Sequence, residues 1–490
     1  MKNKYKLHFI VSIIFLVTAQ FYGCSRTSTN KNISEKPQNI TKLVYYTIGT
    51  PDNDLKKVND ELNNLLIEKY GIAVDYRKIS WKDYGGKLTS LINSGSSFDI
   101  AFSAGSNQDS YAENAERGHW LALDEFLKED GAAIYKSMSK YFWEGSEING
   151  HIYGIPTNKE VAVQEHWIFP KELVDKYNLD INKLTTFEAL NDVFKLIKQN
   201  EPEYEIMDLD SDSNNFFAID GYEYLLDKFV PLVIKSDDDK LQVLNVYETN
   251  EAKKTLKTLR EFYKAGYINK DAAIKENQQL EKDKKVFWFQ ASGGPYSETS
   301  WSNDRGYKVV SVPVTDPVVT TESSRAALMS INSLTKHKEE AFKFLLAVNT
   351  DPDVRNMLNY GIKDVHYKLN ESNQVVKISS NYSGVQYTQG NWFILNTLAG
   401  DPIDKWEQYK EFNKSAIPSK ALGFYADISK LSQQIEAVTV VSKKYYPALM
   451  TGSVDIEYAL PKYNKELKEA GIDEIKEELQ RQIDEWLAKN

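Results

Sequence analysis

Between Lys42 and Phe102 the chain alternates short apolar runs with amphipathic stretches, and this rhythm constrains its fold more than any other feature. Lys42-Leu43-Val44-Tyr45-Tyr46-Thr47-Ile48 reads as a buried strand. Thr50-Pro51 offers an N-cap and a first-turn proline. Leu55, Val58, Leu62, Leu65 and Leu66 then recur at helical spacing until Gly71 stops the helix. Ile72, Val74 and Tyr76 alternate as a second strand. Tyr84, Leu88, Leu91 and Ile92 mark a second helix closed by Gly95, and Phe98-Asp99-Ile100-Ala101-Phe102 is a third strand. A β-α-β-α-β order predicts a parallel sheet covered by helices.

With 490 residues the chain exceeds one ordinary core, so two or three domains are expected. The later rhythm is mostly helical, over about 171–177, 185–199, 221–230 and 250–265, interrupted by strand-like runs at 285–289 and 308–313. A helix follows at about 338–349, with Ala341, Leu345 and Val348 on one face. The last is amphipathic, with Asp473 as cap and Ile475, Leu479, Ile483, Trp486 and Leu487 along its apolar stripe. No solenoid or propeller repeat is visible.

Ahead of the first strand, Lys2, Lys4 and Lys6 precede the apolar run Phe9-Ile10-Val11-Ser12-Ile13-Ile14-Phe15-Leu16-Val17, which is too short to span a bilayer comfortably. Residues 1–23 read as a secretory signal. Cys24 follows Gly23 directly, which resembles a bacterial lipoprotein signal in which Cys24 is acylated and becomes the mature N-terminus. Phe21 stands where such signals usually carry leucine. Residues 24–40, rich in Ser, Thr, Asn and Lys, then form a flexible tether. Cys24 is the only cysteine, so no intrachain disulfide exists and stability must come from packed cores. Removing the leader deletes three lysines and no acids, taking the formal charge from −10 to −13. Nucleic acid and anionic lipid demand basic stripes and are excluded as partners. Thirty tyrosines and nine tryptophans are a usable bias, because both present a flat apolar face with a hydrogen-bonding edge.

The common catalytic constellations are missing. Gly85-Gly86-Lys87 lacks the upstream glycine of a phosphate loop, and Trp81 occupies its place. There is no glycine-x-serine-x-glycine elbow, and His119, His151, His166, His337 and His366 are scattered singly rather than at zinc spacing. Asp208, Asp210 and Asp212 begin like a calcium loop. Ser213 and Ile219 then stand where the turn glycine and the bidentate glutamate belong, so a solvated acidic loop is the better reading. Asp237-Asp238-Asp239 reads as a charged turn. A carboxylate pair for glycoside hydrolysis is set by the fold and leaves no local trace. No cofactor or metal is expected.

Several segments together resemble family 1 extracellular solute-binding proteins. Trp81-Lys82-Asp83-Tyr84, Ser94-Gly95 and the run from Phe98 to Ala104 are similar to their early sheet. Phe142-Trp143-Glu144-Gly145 and the run from Ile148 to Glu160 resemble their first crossing between lobes. Thr335-Lys336-His337, Glu340 to Leu345, Tyr360-Gly361 and His366-Tyr367 are similar to their later segment. The run from Ala470 to Leu487 resembles a Gram-positive lipoprotein subgroup with a C-terminal region of unassigned function. The resemblance implies an α/β, two-lobed periplasmic-binding-protein-like fold of the class II type, each lobe a mostly parallel sheet flanked by helices, joined by a multi-strand hinge. The implied division puts 41–158 and about 308–365 in lobe 1, and 159–307 and about 366–450 in lobe 2. About 451–490 pack on the lobes as C-terminal helices.

The resemblance further implies a monomeric receptor, held to the outer face of the membrane through Cys24, that passes an oligosaccharide to the permease subunits of an ABC transporter. Ligands of open α/β sheets sit beyond the C-terminal ends of strands, which nominates Gly49, Ser103, Asn107 and Tyr111 in the first lobe. The hinge contributes Asn158, Lys159 and Glu160, and Trp167 follows just inside the second lobe. Gln290 and Tyr296 bound a glycine-rich loop without a basic residue, unlike a phosphate nest, and Asn391-Trp392 is the last candidate. Two other readings remain at this point. One is a receptor for peptides or for a uronate paired with Lys159, and the other is a secreted glycoside-active enzyme.

Overall fold

Five strands form the sheet of the first lobe, in the order Ile72–Ile79, Thr41–Ile48, Ile100–Ser103, Leu328–Ile331, Ile155–Pro156. The computed structural model describes residues 40–105, 111–212, 216–276 and 284–489. The first three strands in sequence pair in parallel, as the alternation predicts. Leu328–Ile331 runs antiparallel to Ile100–Ser103, and Ile155–Pro156 antiparallel to it in turn. Four strands therefore point their C-terminal ends at one edge, which is where such sheets bind ligands. The first helix starts at Leu55 rather than at Pro51, and Gly71 closes it in the left-handed region at φ 68°. Helix Trp81–Asn93 buries Tyr84, Leu88 and Leu91 against the sheet.

The second lobe holds a four-stranded sheet ordered Val309–Pro313, Glu165–Pro170, Val286–Ser292, Glu205–Met207. It departs from the mostly parallel expectation, because Glu165–Pro170 runs antiparallel to both its neighbours and only Val286–Ser292 with Glu205–Met207 is parallel. The cause is connectivity: one strand enters the lobe from the hinge and its neighbour returns to it. Val309–Pro313, expected with lobe 1, belongs to this sheet. Conversely, the segment after His366 packs on lobe 1. His366 Nε2 meets Asp54 Oδ2 at 3.1 Å, Lys78 Nζ donates to the Ser383 carbonyl at 2.8 Å, and the Tyr45 hydroxyl reaches Gln389 at 3.1 Å. The helix expected at 221–230 is instead the strand Tyr222–Tyr224, paired antiparallel with Leu232–Lys235 across a turn at Asp227. Its two tyrosines, with Val233 and Ile234 on the partner strand, favour that pleated pairing.

The C-terminal helices Ser432–Met450, Ile456–Glu469 and Ile472–Leu487 are part of the second lobe's interior. Tyr446, Tyr463, Leu467, Ile475, Leu479 and Ile483 share one continuous core with Phe194, Phe217, Tyr247 and Leu256. Each fully buried side chain of this kind is worth roughly 1.5–3 kcal/mol. The last helix begins at Ile472 with Gly471 as its cap, two positions before the expected cap Asp473.

Three passages of chain join the lobes. Val163 and Val318 exchange backbone hydrogen bonds of 2.8 and 2.9 Å. Val318–Val319 pairs in parallel with Ile417–Pro418. Asn413 locks the third passage to the first, accepting from the Val161 amide at 3.0 Å and donating to the Lys159 carbonyl at 2.8 Å. Among the described residues no helix is long and apolar enough to cross a membrane, and no group of three or more His, Cys, Asp or Glu could hold a metal ion. Asp208 ion-pairs instead with Lys275 and Lys284.

Candidate functional site

The edge of lobe 1 where its strands end is crossed by residues 383–392. Gly49, at φ 148°, donates its amide to Ile79, and a Cβ there would come within 2.5 Å of Val385 Cγ2. Its role is to let this segment approach. At the other end Asn158 and Asn391 form a backbone bridge. The carbonyl of Gln386 accepts two donors at 2.8 Å, Nη2 of the fully buried Arg355 and Nε1 of Trp392, so one oxygen fixes the Trp392 indole. Burial lowers the Arg355 pKa to about 10, and nearby tyrosines offset this in part.

Trp392 is partly exposed and has Lys159 Nζ 6.0 Å from its ring centre. Lys159 donates to the Glu160 carbonyl at 2.9 Å and to its carboxylate at 3.3 Å, so its charge is already answered and gives no support to a uronate partner. Glu160 Oε2 is buried without a partner. Beyond it stands Tyr409, hydrogen-bonded to Ser297, whose hydroxyl titrates above the usual range through burial and then through the charge of Glu160. Ser297 also caps the glycine-rich loop by accepting from the Gly294 amide at 2.9 Å, and Gly294 lies against Phe412. Tyr296, at φ 64°, donates its hydroxyl to Asp404 at 3.1 Å.

The floor continues on the second sheet. Gln290 donates to Glu165 at 2.9 Å and Ser292 donates to the same carboxylate, while Gln290 Oε1 is buried without a partner. His166 lies 5.5 Å from Trp301 with both ring nitrogens unpartnered. Burial holds its pKa below the ordinary histidine value, so the ring is neutral at neutral pH, with one donor and one acceptor. Aromatic faces and polar groups therefore occur together on both sides of the hinge: Trp392 with Lys159 and Glu160, Tyr409 with Ser297, and Trp301 with His166. Buried polar atoms without partners are costly unless water or ligand satisfies them.

Several sequence candidates have other occupations. Ser103 is fully buried and bonds Ser330 at 2.7 Å. Tyr111, fully buried, donates to the Ser146 carbonyl at 2.8 Å and accepts from the Tyr153 amide at 2.9 Å. Asn158 donates to the Ser137 carbonyl at 3.2 Å, and Asn391 caps the turn at Phe393 by accepting its amide at 2.9 Å. Trp167 is a core residue with no exposure, packed 5.5 Å from Trp288 and 5.0 Å from Phe187, so it cannot stack on a ligand. Its position follows from register, since it alternates with the outward His166. Asn107 and Cys24 lie outside the described residues. Glu165, His166, Trp301, Tyr387 and Tyr409 were not nominated from sequence, nor was Trp81. Applying the strand-end rule to Ile72–Ile79 would have reached Trp81, which begins the next helix and stacks on Tyr387 at 5.7 Å and 18°.

Residues 63–362, more than half of the chain, match the family of bacterial extracellular solute-binding proteins, and the chain belongs to that family. Residues 420–488 match a domain of unknown function, DUF3502, which covers the C-terminal helices built into the second core. A carbohydrate ABC transporter substrate-binding protein of Streptococcus pneumoniae serotype 4 (strain ATCC BAA-334 / TIGR4) is 29% identical over 99% of both chains. The crystal structure of the N-glycan transport solute binding protein (NgtS) from Streptococcus pneumoniae superposes with a TM-score of 0.82 at 29% identity, over 91% of this chain and 99% of that one. Its complex with Man5GlcNAc gives 0.68 at 28% identity, over 92% and 99%. The complex with Man1GlcNAc gives 0.71 at 28%, over 92% and 100%.

Proposed function

We propose that this solute-binding protein captures an oligosaccharide between its lobes and delivers it to the permease of an ABC importer, without catalysis, as a monomer anchored outside the membrane through acylated Cys24. One observation carries the carbohydrate reading: partly exposed Trp392, Tyr409 and Trp301 are interleaved with the unsatisfied polar atoms of Glu160, His166 and Gln290. Sugars present the complementary surface, apolar ring faces edged by hydroxyls that donate and accept. The relatives named for carbohydrate and N-glycan transport support the same ligand class, with mannose-GlcNAc glycans as the first candidates. Of the sequence nominees, Lys159, Glu160, Gln290, Tyr296 and Trp392 remain proposed contacts.

Thermal shift tests the reading, because a ligand of the native state raises the melting temperature. Man5GlcNAc or a related oligosaccharide should stabilise the protein and a panel of peptides should not. The converse result would falsify the carbohydrate assignment. The anchor has its own test: Cys24→Ala should move the protein from the membrane fraction into the medium, since two or more acyl chains give stable attachment. Retention of that variant on the membrane removes the acyl anchor from the proposal.

A further inference from the structure

The region matched by the domain of unknown function opens just beyond the third crossing, and its first stretch, 421–427, is shared between the lobes. Ala421, Phe424 and Ala426 are buried in the second lobe's core, in one cluster with Trp167 and Ile483. Leu422 and Tyr425 go the other way. Leu422 packs on the first-lobe cluster that holds Phe142 and Trp143, and Tyr425 on the one that holds Tyr84 and Ala327. Neighbouring side chains of one short segment thus enter opposite lobes.

Polar contacts fasten the segment on both sides. Toward lobe 1, Thr321 Oγ1 accepts from the Gly423 amide at 2.8 Å and donates to the Ala421 carbonyl at 3.1 Å. Gly423 stands at φ 90°, and a Cβ there would come within 3.0 Å of the Glu144 carbonyl oxygen, so glycine lets the chain lie against lobe 1. The buried Arg325, held on the Gly145 and Glu147 carbonyls at 2.7 and 3.0 Å, lies 5.5 Å from the Tyr425 ring centre. Toward the last helix, Phe424 meets Trp486 edge-on at 5.9 Å. Gln482 accepts from the Asp427 amide at 2.8 Å and donates to its carbonyl at 2.9 Å.

Rotation of one lobe against another is absorbed by a few residues at the crossings. A segment rooted in both cores directly after one crossing restricts that motion. We infer that residues 421–427 are a brace between lobe 1 and the last helix, and that through it the C-terminal region restrains lobe rotation and pre-orders the cleft for capture. The part in capture rests on the carbohydrate reading above, and the brace itself does not. Without the brace the lobes would spread over more arrangements, and apparent affinity falls with the fraction of molecules in the competent one.

Double electron–electron resonance tests the brace in the ligand-free full chain carrying Cys24→Ser, with spin labels at Lys56→Cys in lobe 1 and Lys183→Cys in lobe 2, both highly exposed positions. Thr321→Val removes the fastening on lobe 1, and Gln482→Ala removes the one on the last helix. Each should broaden the interlobe distance distribution and weaken Man5GlcNAc binding about two- to fivefold in calorimetric titration. Gln482→Ala is the sharper probe, since the bonds of Gln482, to Asp427 and Glu478, reach no residue of lobe 1. Leu479→Ala weakens the same core without touching the brace and should leave the distances as in the wild type. Wild-type distances in both brace variants, or equal broadening in Leu479→Ala, overturn the brace. Broadened distances with unchanged glycan affinity overturn its part in capture. A wild type that binds peptides and no glycan removes the carbohydrate reading, and the distances alone then decide the brace.

Discussion

Trp392 and Trp167 were equivalent as sequence candidates, and the structure separates them. The first is partly exposed with its indole nitrogen fixed on the Gln386 carbonyl, and the second is enclosed among Phe187 and Trp288. Trp392→Ala should weaken oligosaccharide binding by about 1 kcal/mol or more with little change in melting temperature, read by titration calorimetry. Trp167→Ala should cost about 3–5 kcal/mol of stability in a denaturant melt, because it opens a cavity in the second core. Why could sequence not tell them apart? Alternation places one of each adjacent pair inside, but short strands do not say which. The same ambiguity covers Ser103, Tyr111, Asn158 and Asn391. A polar side chain at a strand end serves a neighbouring backbone as readily as a ligand, and only the folded neighbours decide.

At the scale of elements, the hinge is the part with a titratable group built into it. Glu223 on strand Tyr222–Tyr224 accepts the hydroxyl of Ser419 at 2.5 Å, directly after the crossing strand Ile417–Pro418. Burial lifts Glu223 from 4.5 to about 7, with Glu322 adding to the rise and the Ser419 bond opposing it. The folded state thus holds this proton more tightly than the unfolded one. Its stabilising contribution is full below about pH 4.5 and is lost as pH rises through about 7. Melting temperature measured across that window should fall more steeply for the wild type than for Glu223→Gln, and parallel curves would remove the assignment. Amphipathic helices such as Asn250–Ala265 and Lys338–Thr350 were legible from apolar spacing, whereas Lys405–Ser415 and Ser432–Met450 were not read from it. The three-residue strand holding Glu223 was not, because so short an element shows no period and its flanking leucines mimic a helix face.

On the scale of the whole molecule, the two lobes are assembled from interleaved pieces of chain. Sequence rhythm located three of the five strands of the first sheet, but the return of Val309–Pro313 to lobe 2 and of residues 383–392 to lobe 1 depends on contacts between distant segments that no local pattern encodes. The C-terminal helices make the same point in energetic terms. Leu479 is fully buried in the core shared with Leu256 and Tyr463. Leu479→Ala should therefore lower unfolding stability by about 2–5 kcal/mol, as a core truncation does. A chain ending before Asp455 should fail to fold its second lobe and expose that apolar surface to a hydrophobic dye. If it instead melts cooperatively like the full chain, these helices are accessory.

The same arrangement has a consequence for biogenesis. The core of the second lobe draws on Trp167 and Phe169 at one extreme and on Ile475 and Ile483 at the other, so more than three hundred residues separate its halves. A core of such long sequence separation closes slowly and only once both halves are present. During passage through a narrow secretion channel, the middle of the chain would stay threadable until its final helices arrived. Premature collapse, the usual hazard for an exported protein, is deferred by where the chain keeps its last apolar stripe.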